Sequence, residues 1–225
     1  FGGLSNQVSD AKKDSTEWET NFDRYSWNYK YNTGAVGLSH FIMLDDKSYL
    51  KSTLITSGTD RGGEQSILDS EYSEIPEGNE SYDQNKVALN TIYTRKINAK
   101  NSIKAGIIAS MNFYDLEQSW RNESGTSIET LIKQNGEAIT LQSFAQWNFH
   151  PLERLTIVTG LHYLAFTENN TFSIEPRASA KYNLNDKQSV SIGYGLHGQV
   201  QPLGVYFAQL NNSDGTIVMP NHDLG

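Results

Sequence analysis

The stretch FSIEPRASAKYNL, residues 172–184, alternates with a period of two from end to end. Phe172, Ile174, Pro176, Ala178, Ala180, Tyr182 and Leu184 fall on one face. Ser173, Glu175, Arg177, Ser179, Lys181 and Asn183 fall on the other. Successive side chains of an extended chain point to opposite sides, so this reads as a strand with one apolar and one charged face. Pro176 removes a ladder donor from its middle, which predicts a bulge or an unusual partner geometry at that point.

The same alternation recurs on both sides of this stretch. It is clean over residues 87–97, 139–149 and 190–196, and less regular over 36–44, 49–57, 102–116 and 155–166. With 172–184 this gives about eight strands, rich in branched and aromatic residues and without a long 3.6-residue stripe. One short helical alternative is SIETLIKQ, residues 127–134, which opens on a loose capping-box pattern.

The connections sort by length. Residues 44–47, 98–101, 151–154 and 185–187 are tight turns rich in Asn, Asp, Lys and Pro. Between them lie longer polar segments at 59–83, about 117–136, 167–171 and from 199 onward. Short turns at one end and long loops at the other predict an all-β, antiparallel up-and-down meander of the outer-membrane barrel type. Segments 84–97, 102–116, 137–149, 155–166 and 172–184 all reach the length of about 9–11 residues that a tilted strand needs to cross the hydrocarbon layer. Soluble strands are nearer 5–6 residues. Tyr49, Trp147, Phe149 and Tyr182 lie near short turns, and Tyr114, Trp120, Phe166 and Phe172 near long loops. Their placement predicts two interfacial aromatic girdles.

Composition sets the outer limits. The 225 residues carry a net charge of −8, no cysteine, 37% hydrophobic and 11% aromatic residues. Disulfides and thiolate chemistry are therefore absent, and the acidic balance argues against a nucleic-acid partner. No apolar run approaches the 18 residues of a membrane helix, which leaves a β-barrel open. Residues 60–83 hold eight acids against Arg61 and so account for seven of the eight net charges. A solvated outer loop is expected there. The alternative, a calcium site, finds no EF-hand spacing. Phe1 opens the chain without a Met or a signal-peptide pattern, and the chain stops in a polar stretch. It is expected to be an interior piece of something longer, one partial barrel domain over residues 1–225.

No catalytic or metal-binding motif stands out, and no cofactor is expected. The histidines His40, His150, His162, His197 and His222 lack zinc-site spacing. There is no P-loop, GxGxxG or GxSxG. His162 sits on a mixed face and receives no role. The candidate ligand or plug contacts are Glu175, Arg177 and Lys181 on one polar face, followed by His197, Gln199 and Gln201. Each is equally a plain polar wall residue. Sequons at Asn79, Asn122, Asn169 and Asn211 all fall in expected outer loops, where such matches arise by chance.

The stretch from Ser173 to Phe207 resembles the barrel of Bacteroidetes-type TonB-dependent outer-membrane receptors. The similarity rests on Ile174-Glu175-Pro176-Arg177, the turn at 183–188, Gly193-Tyr194-Gly195-Leu196-His197, Gln201-Pro202-Leu203 and Tyr206-Phe207. Thr16-Glu17-Trp18 through Tyr31-Asn32-Thr33-Gly34, Leu38-Ser39-His40 and residues 155–166 are similar too. The resemblance implies a segment of a barrel of about 22 strands enclosing a plug. It implies bacterial outer-membrane localisation, import of a scarce nutrient and no enzymatic activity. The implied partners are the lipid bilayer, TonB acting through a plug that this sequence lacks, the nutrient itself and a surface lipoprotein. The competing reading is a soluble β-sandwich module that binds carbohydrate. An outer-membrane lipase is a third, and would need a serine within reach of a histidine.

Overall fold

The computed structural model describes every residue except 123, 213 and 225. Nine strands form one antiparallel sheet in sequence order, and the sheet is not closed. They are β1 (Gly2–Ser9), β2 (Tyr25–Asp45), β3 (Ser48–Leu68), β4 (Glu74–Asn98), β5 (Asn101–Arg121), β6 (Ile128–Leu152), β7 (Leu155–Phe166), β8 (Thr171–Asn185) and β9 (Gln188–Gly195). A four-residue helix α1 (Leu203–Tyr206) and the short strands β10 (Leu210–Asn211) and β11 (Ile217–Val218) follow. The all-β meander read from the alternation is thus the observed architecture.

Eight of the nine strands coincide with the alternating segments. β1 was not anticipated: GGLSNQVS carries little alternation and is held by backbone pairing to β2, from Gly2 opposite Gly34 to Ser9 opposite Trp27. The tight turns close on Asp46-Lys47, Ala99-Lys100, Glu153-Arg154 and Asp186-Lys187, all at one end of the sheet.

The opposite end departs from expectation. Residues 59–83 are not a loop, because β3 and β4 stay paired from Ser48 opposite Arg95 to Leu68 opposite Glu74. Residues 117–136 are likewise strand up to Arg121 and again from Ile128 onward. The helical alternative at 127–134 is overturned: all but its first residue lie in β6, where Ile132 pairs with Gln118. Polar side chains misled here because the ladder is made by backbone groups, which pair whatever the side chains are. Pro176 causes no bulge. It pairs in register with Leu161 of β7, and its free side faces the end of β9, where Leu196 N–H donates to Pro176 O at 3.1 Å.

Register makes the two faces explicit. One row across the sheet reads Leu38, Leu54, Leu89, Ala109, Leu141, Ala165 and Phe172, each directly opposite the next. Leu38 is 74% exposed, Leu89 50% and Phe172 67%, so this face is bare. Val36, Val87, Met111 and Ile139 lie in the row above, and Tyr182 and Val190 close the band below. Along β6 the band runs from Ile139 to Phe149. At ~3.4 Å per residue and a tilt near 45° it is roughly 25 Å tall, the height of the apolar band on a membrane barrel. Two rows above Ile139 the same face carries Asn32, Asp60, Asp83, Asp115 and Asn135 side by side. Asp60 and Asp83, two of the eight acids of residues 60–83, therefore mark the edge of the band together with Asp115.

The other face is polar, and it pairs glycines with aromatics. Tyr29 lies opposite Gly63, Trp120 opposite Gly78, Phe144 opposite Gly106 and Tyr114 opposite Gly136. Each ring lies over its glycine and fills the space that a side chain would need. A Cβ on Gly106 would stand 2.6 Å from Phe144 Cε1 and 3.0 Å from the Thr91 carbonyl oxygen. Gly106→Ala is therefore expected to destabilise the sheet by about 1–3 kcal/mol, the usual cost of overpacking. Urea unfolding in detergent checks this, and an unchanged midpoint would show that the ring gives way freely.

The aromatic girdles are half correct. Trp147, Phe149 and Tyr182 lie on the bare face near the short turns, with Trp147 and Phe149 stacked at 5.1 Å between centroids. Tyr49 shares its row with Thr94 and Lys104 on the polar face. At the other end only Phe172 faces outward. Tyr114 and Phe166 are buried in the core, and Trp120 covers Gly78 on the polar face.

Before β2, residues 10–24 form a capped loop. Asp23 accepts from Lys12 Nζ at 2.8 Å and from the backbone N–H groups of Glu19 and Thr20, each at 2.8 Å. The Lys12 ammonium, then the two amides, hold its carboxyl down at about 2. A depressed carboxylate stabilises the fold above its ordinary titration range. The order of this loop is therefore expected to be complete above about pH 4 and lost as pH falls through about 2. An NMR titration of Asp23 with amide exchange at Glu19 and Thr20 checks this; titration at an ordinary carboxylate value would contradict it.

Candidate functional site

The core lies on the polar face. Tyr82, Tyr114, Leu116, Ile132, Ala138 and Phe166 form an apolar island there, and Tyr206 and Phe207 are packed into it. Phe207 is 1% exposed and stacks on Tyr114 at 5.2 Å, while Tyr206 meets Phe166 at 5.3 Å. The chain after β9 therefore does not project as a loop. It crosses back over the polar face as a strap, with Gln209 N–H donating to Leu131 O at 2.7 Å.

Beside this island sits Glu175, a carboxylate only 1% exposed. Its Oε1 accepts from Ser173 Oγ at 2.9 Å and from the Gly198 backbone N–H at 2.8 Å. Its Oε2 accepts from Arg177 Nη2 and lies 3.1 Å from His162 Nδ1. The second ring nitrogen of His162 is 3.2 Å from Gln142 Oε1. A carboxylate buried this far persists only when paired and fully hydrogen-bonded, and here four groups meet it. Arg177 reaches solvent, with its side chain 44% exposed, so its removal is expected to cost less than the about 3–5 kcal/mol of a fully buried pair.

The expected contact residues divide. Glu175 and Arg177 join in this cluster. Lys181 lies four residues further along β8, opposite Thr156 and Ser191, and makes no ion pair among the described residues. His197, Gln199 and Gln201 lie beyond the end of β9 rather than on it. His197 and Arg177 flank Gly195, where a Cβ would stand 3.1 Å from His197 Nε2 and 3.2 Å from Arg177 Cγ. Gln199 and Gln201, with Gln84, Lys86, Asn112 and Gln142, line an open-sided cavity of about 550 Å³ beneath the strap.

His162 was the residue missed. Its signal is the turn: His162 and Glu175 are equidistant from the β7–β8 turn, so an unbulged hairpin must place them opposite one another, as observed. Glu175 stands between Ser173 and His162, so the hydroxyl proton goes to a carboxylate, and the serine–histidine contact of a lipase is not formed here. Among the described residues no group of three or more His, Asp or Glu side chains is placed to hold a metal ion. Of the eight acids of residues 60–83, six lie along the paired strands β3 and β4 and two, Asp69 and Glu71, in the turn between them; Arg61 bridges to Glu80 at 3.2 Å.

The sandwich alternative requires a second sheet over the apolar face. The second sheet here has two residues per strand, and the large apolar side chains of β8, Phe172, Ile174, Tyr182 and Leu184, remain exposed. No family model, curated protein or solved structure matches the chain.

Proposed function

We propose that this chain is an interior part of the barrel of a TonB-dependent outer-membrane receptor that imports a scarce nutrient. One observation carries the reading: a bare apolar band crosses seven strands in register and is bounded by a row of three aspartates. Monomeric soluble proteins rarely leave so large a contiguous apolar surface exposed. Lipid covers such a band without a second sheet. The free edges at β1 and β9 then pair with further strands of the same barrel, because an open edge otherwise invites aggregation. The polar face becomes the lumen wall, and the strap with its cavity lies where a nutrient or plug would pass. The named family rests on the resemblance of residues 173–207, since many barrels share the band. TonB, a plug and a surface lipoprotein are partners of the whole receptor.

The test uses the full-length chain in its native cells. It is expected in the outer-membrane fraction, with heat-modifiable migration on gels and nutrient-limited growth that depends on TonB. A chain that dissolves without detergent as a cooperative monomer would overturn the reading.

A further inference from the structure

The strap over the polar face is fixed at its root and at its far end, and between them Val200 and Leu203 rest against the aromatic island. At its root, Leu196 and Gly198 are tied to β8 through Pro176 O and Glu175 Oε1. At its far end, Tyr206 and Phe207 are sunk in the aromatic island. Between these points Gln199 and Gln201 face the cavity of about 550 Å³, whose floor carries Gln84, Lys86, Ser110 and Asn112. The strap thus roofs the cavity with Gln199 and Gln201 while its apolar residues Val200 and Leu203 hold it to the sheet.

We propose that residues 198–209 are a lid over this cavity and that Glu175 is its latch. The carboxylate is fixed to the sheet by Ser173, Arg177 and His162, and it offers its remaining acceptor position to one N–H of the strap. The approach is close at Gly198, where any side chain would press on Ser173 and the carboxylate. A Cβ there would stand 2.7 Å from Ser173 Oγ and 3.0 Å from Glu175 Oε1. One anion thus links the sheet to the lid, and a change at that anion reaches the cavity mouth directly. That the cavity opens into a barrel lumen rests on the function proposed above; the latch itself does not.

These 225 residues contain no cysteine, so only thiols elsewhere in the full-length protein need replacing, and the unsubstituted protein serves as the labelling blank. Ser110, 5% exposed on the cavity floor, is replaced by cysteine in the full-length protein in outer membranes. A charged methanethiosulfonate reagent is then added from the aqueous side. Labelling of Ser110→Cys is expected to be slow and to quicken at least tenfold with Glu175→Ala. Phe207→Ala, which frees the other anchor, is expected to act in the same direction. Glu175→Gln keeps the shape and loses the charge, and is expected to give an intermediate rate. Ser191→Cys, on the same face away from the strap, is expected to keep its rate in every background. An unchanged Ser110→Cys rate in both Glu175 variants overturns the latch, as does a rise that Ser191→Cys shares equally. Leu89→Cys, on the bare face, separates the two proposals. If it labels as fast as Ser191→Cys, the membrane reading has failed while the latch result stands.

Discussion

Ala178→Arg is expected to lower the stability of the assembled barrel by roughly 2–4 kcal/mol, the cost of an arginine on the lipid face near the bilayer midplane. Ser179→Arg, one residue on, is expected to cost far less. Both side chains are exposed in the sheet. A soluble protein would therefore tolerate both within about 0.5 kcal/mol, as surface positions generally do. The contrast comes from pleat parity alone: Ala178 shares a row with Thr159 and Tyr194, Ser179 with Val158 and Gly193. Reversible unfolding from detergent-stabilised bilayers measures the difference, and equal effects would refute the assignment of faces.

Phe207→Ala is expected to cost about 3–5 kcal/mol, the range for deleting a buried aromatic. The ring is 1% exposed and touches the island formed by β4, β5, β6 and β7. Its loss leaves Tyr114 without its stacking partner and removes one of the two anchors of the strap. Chymotrypsin cleavage gives an independent readout, because the strap, once freed, offers Leu203, Tyr206 and Leu210 to the protease before the sheet opens. Loss of global stability with an unaltered cleavage pattern would mean that the strap does not depend on this anchor.

The sequence revealed the sheet more fully than the site. Alternation was sufficient for β4, β6, β8 and β9, branched and aromatic content marked the less regular β2, β3, β5 and β7, and the tight turns were legible from Asn, Asp and Lys pairs. β1 was hidden because Gly2, Gly3, Ser5, Asn6 and Gln7 give no face to read. The extensions of β3 to β6 beyond the apolar band were hidden for a related reason. Outside the band nothing selects for alternation, yet the backbone ladder continues. Glu175 and Arg177 were legible as a charged face, but their neighbour His162 was not, since cross-strand partners follow from the turn centre and not from local pattern. The strap was misread because Gln199, Gln201 and their neighbours look like a loop. Tyr206-Phe207, two adjacent aromatics in a polar stretch, was the available sign that it is tied down.

The most direct measurement is a nitroxide scan over residues 139–149 of the full-length protein in lipid, comparing collision with oxygen and with a water-soluble nickel chelate. Labels at Ile139, Leu141, Ser143, Ala145, Trp147 and Phe149 are expected to favour oxygen, and those at Thr140, Gln142, Phe144, Gln146 and Asn148 the chelate or neither. A bare face in water would instead give high chelate accessibility at the odd positions, and that result would contradict a lipid-facing band.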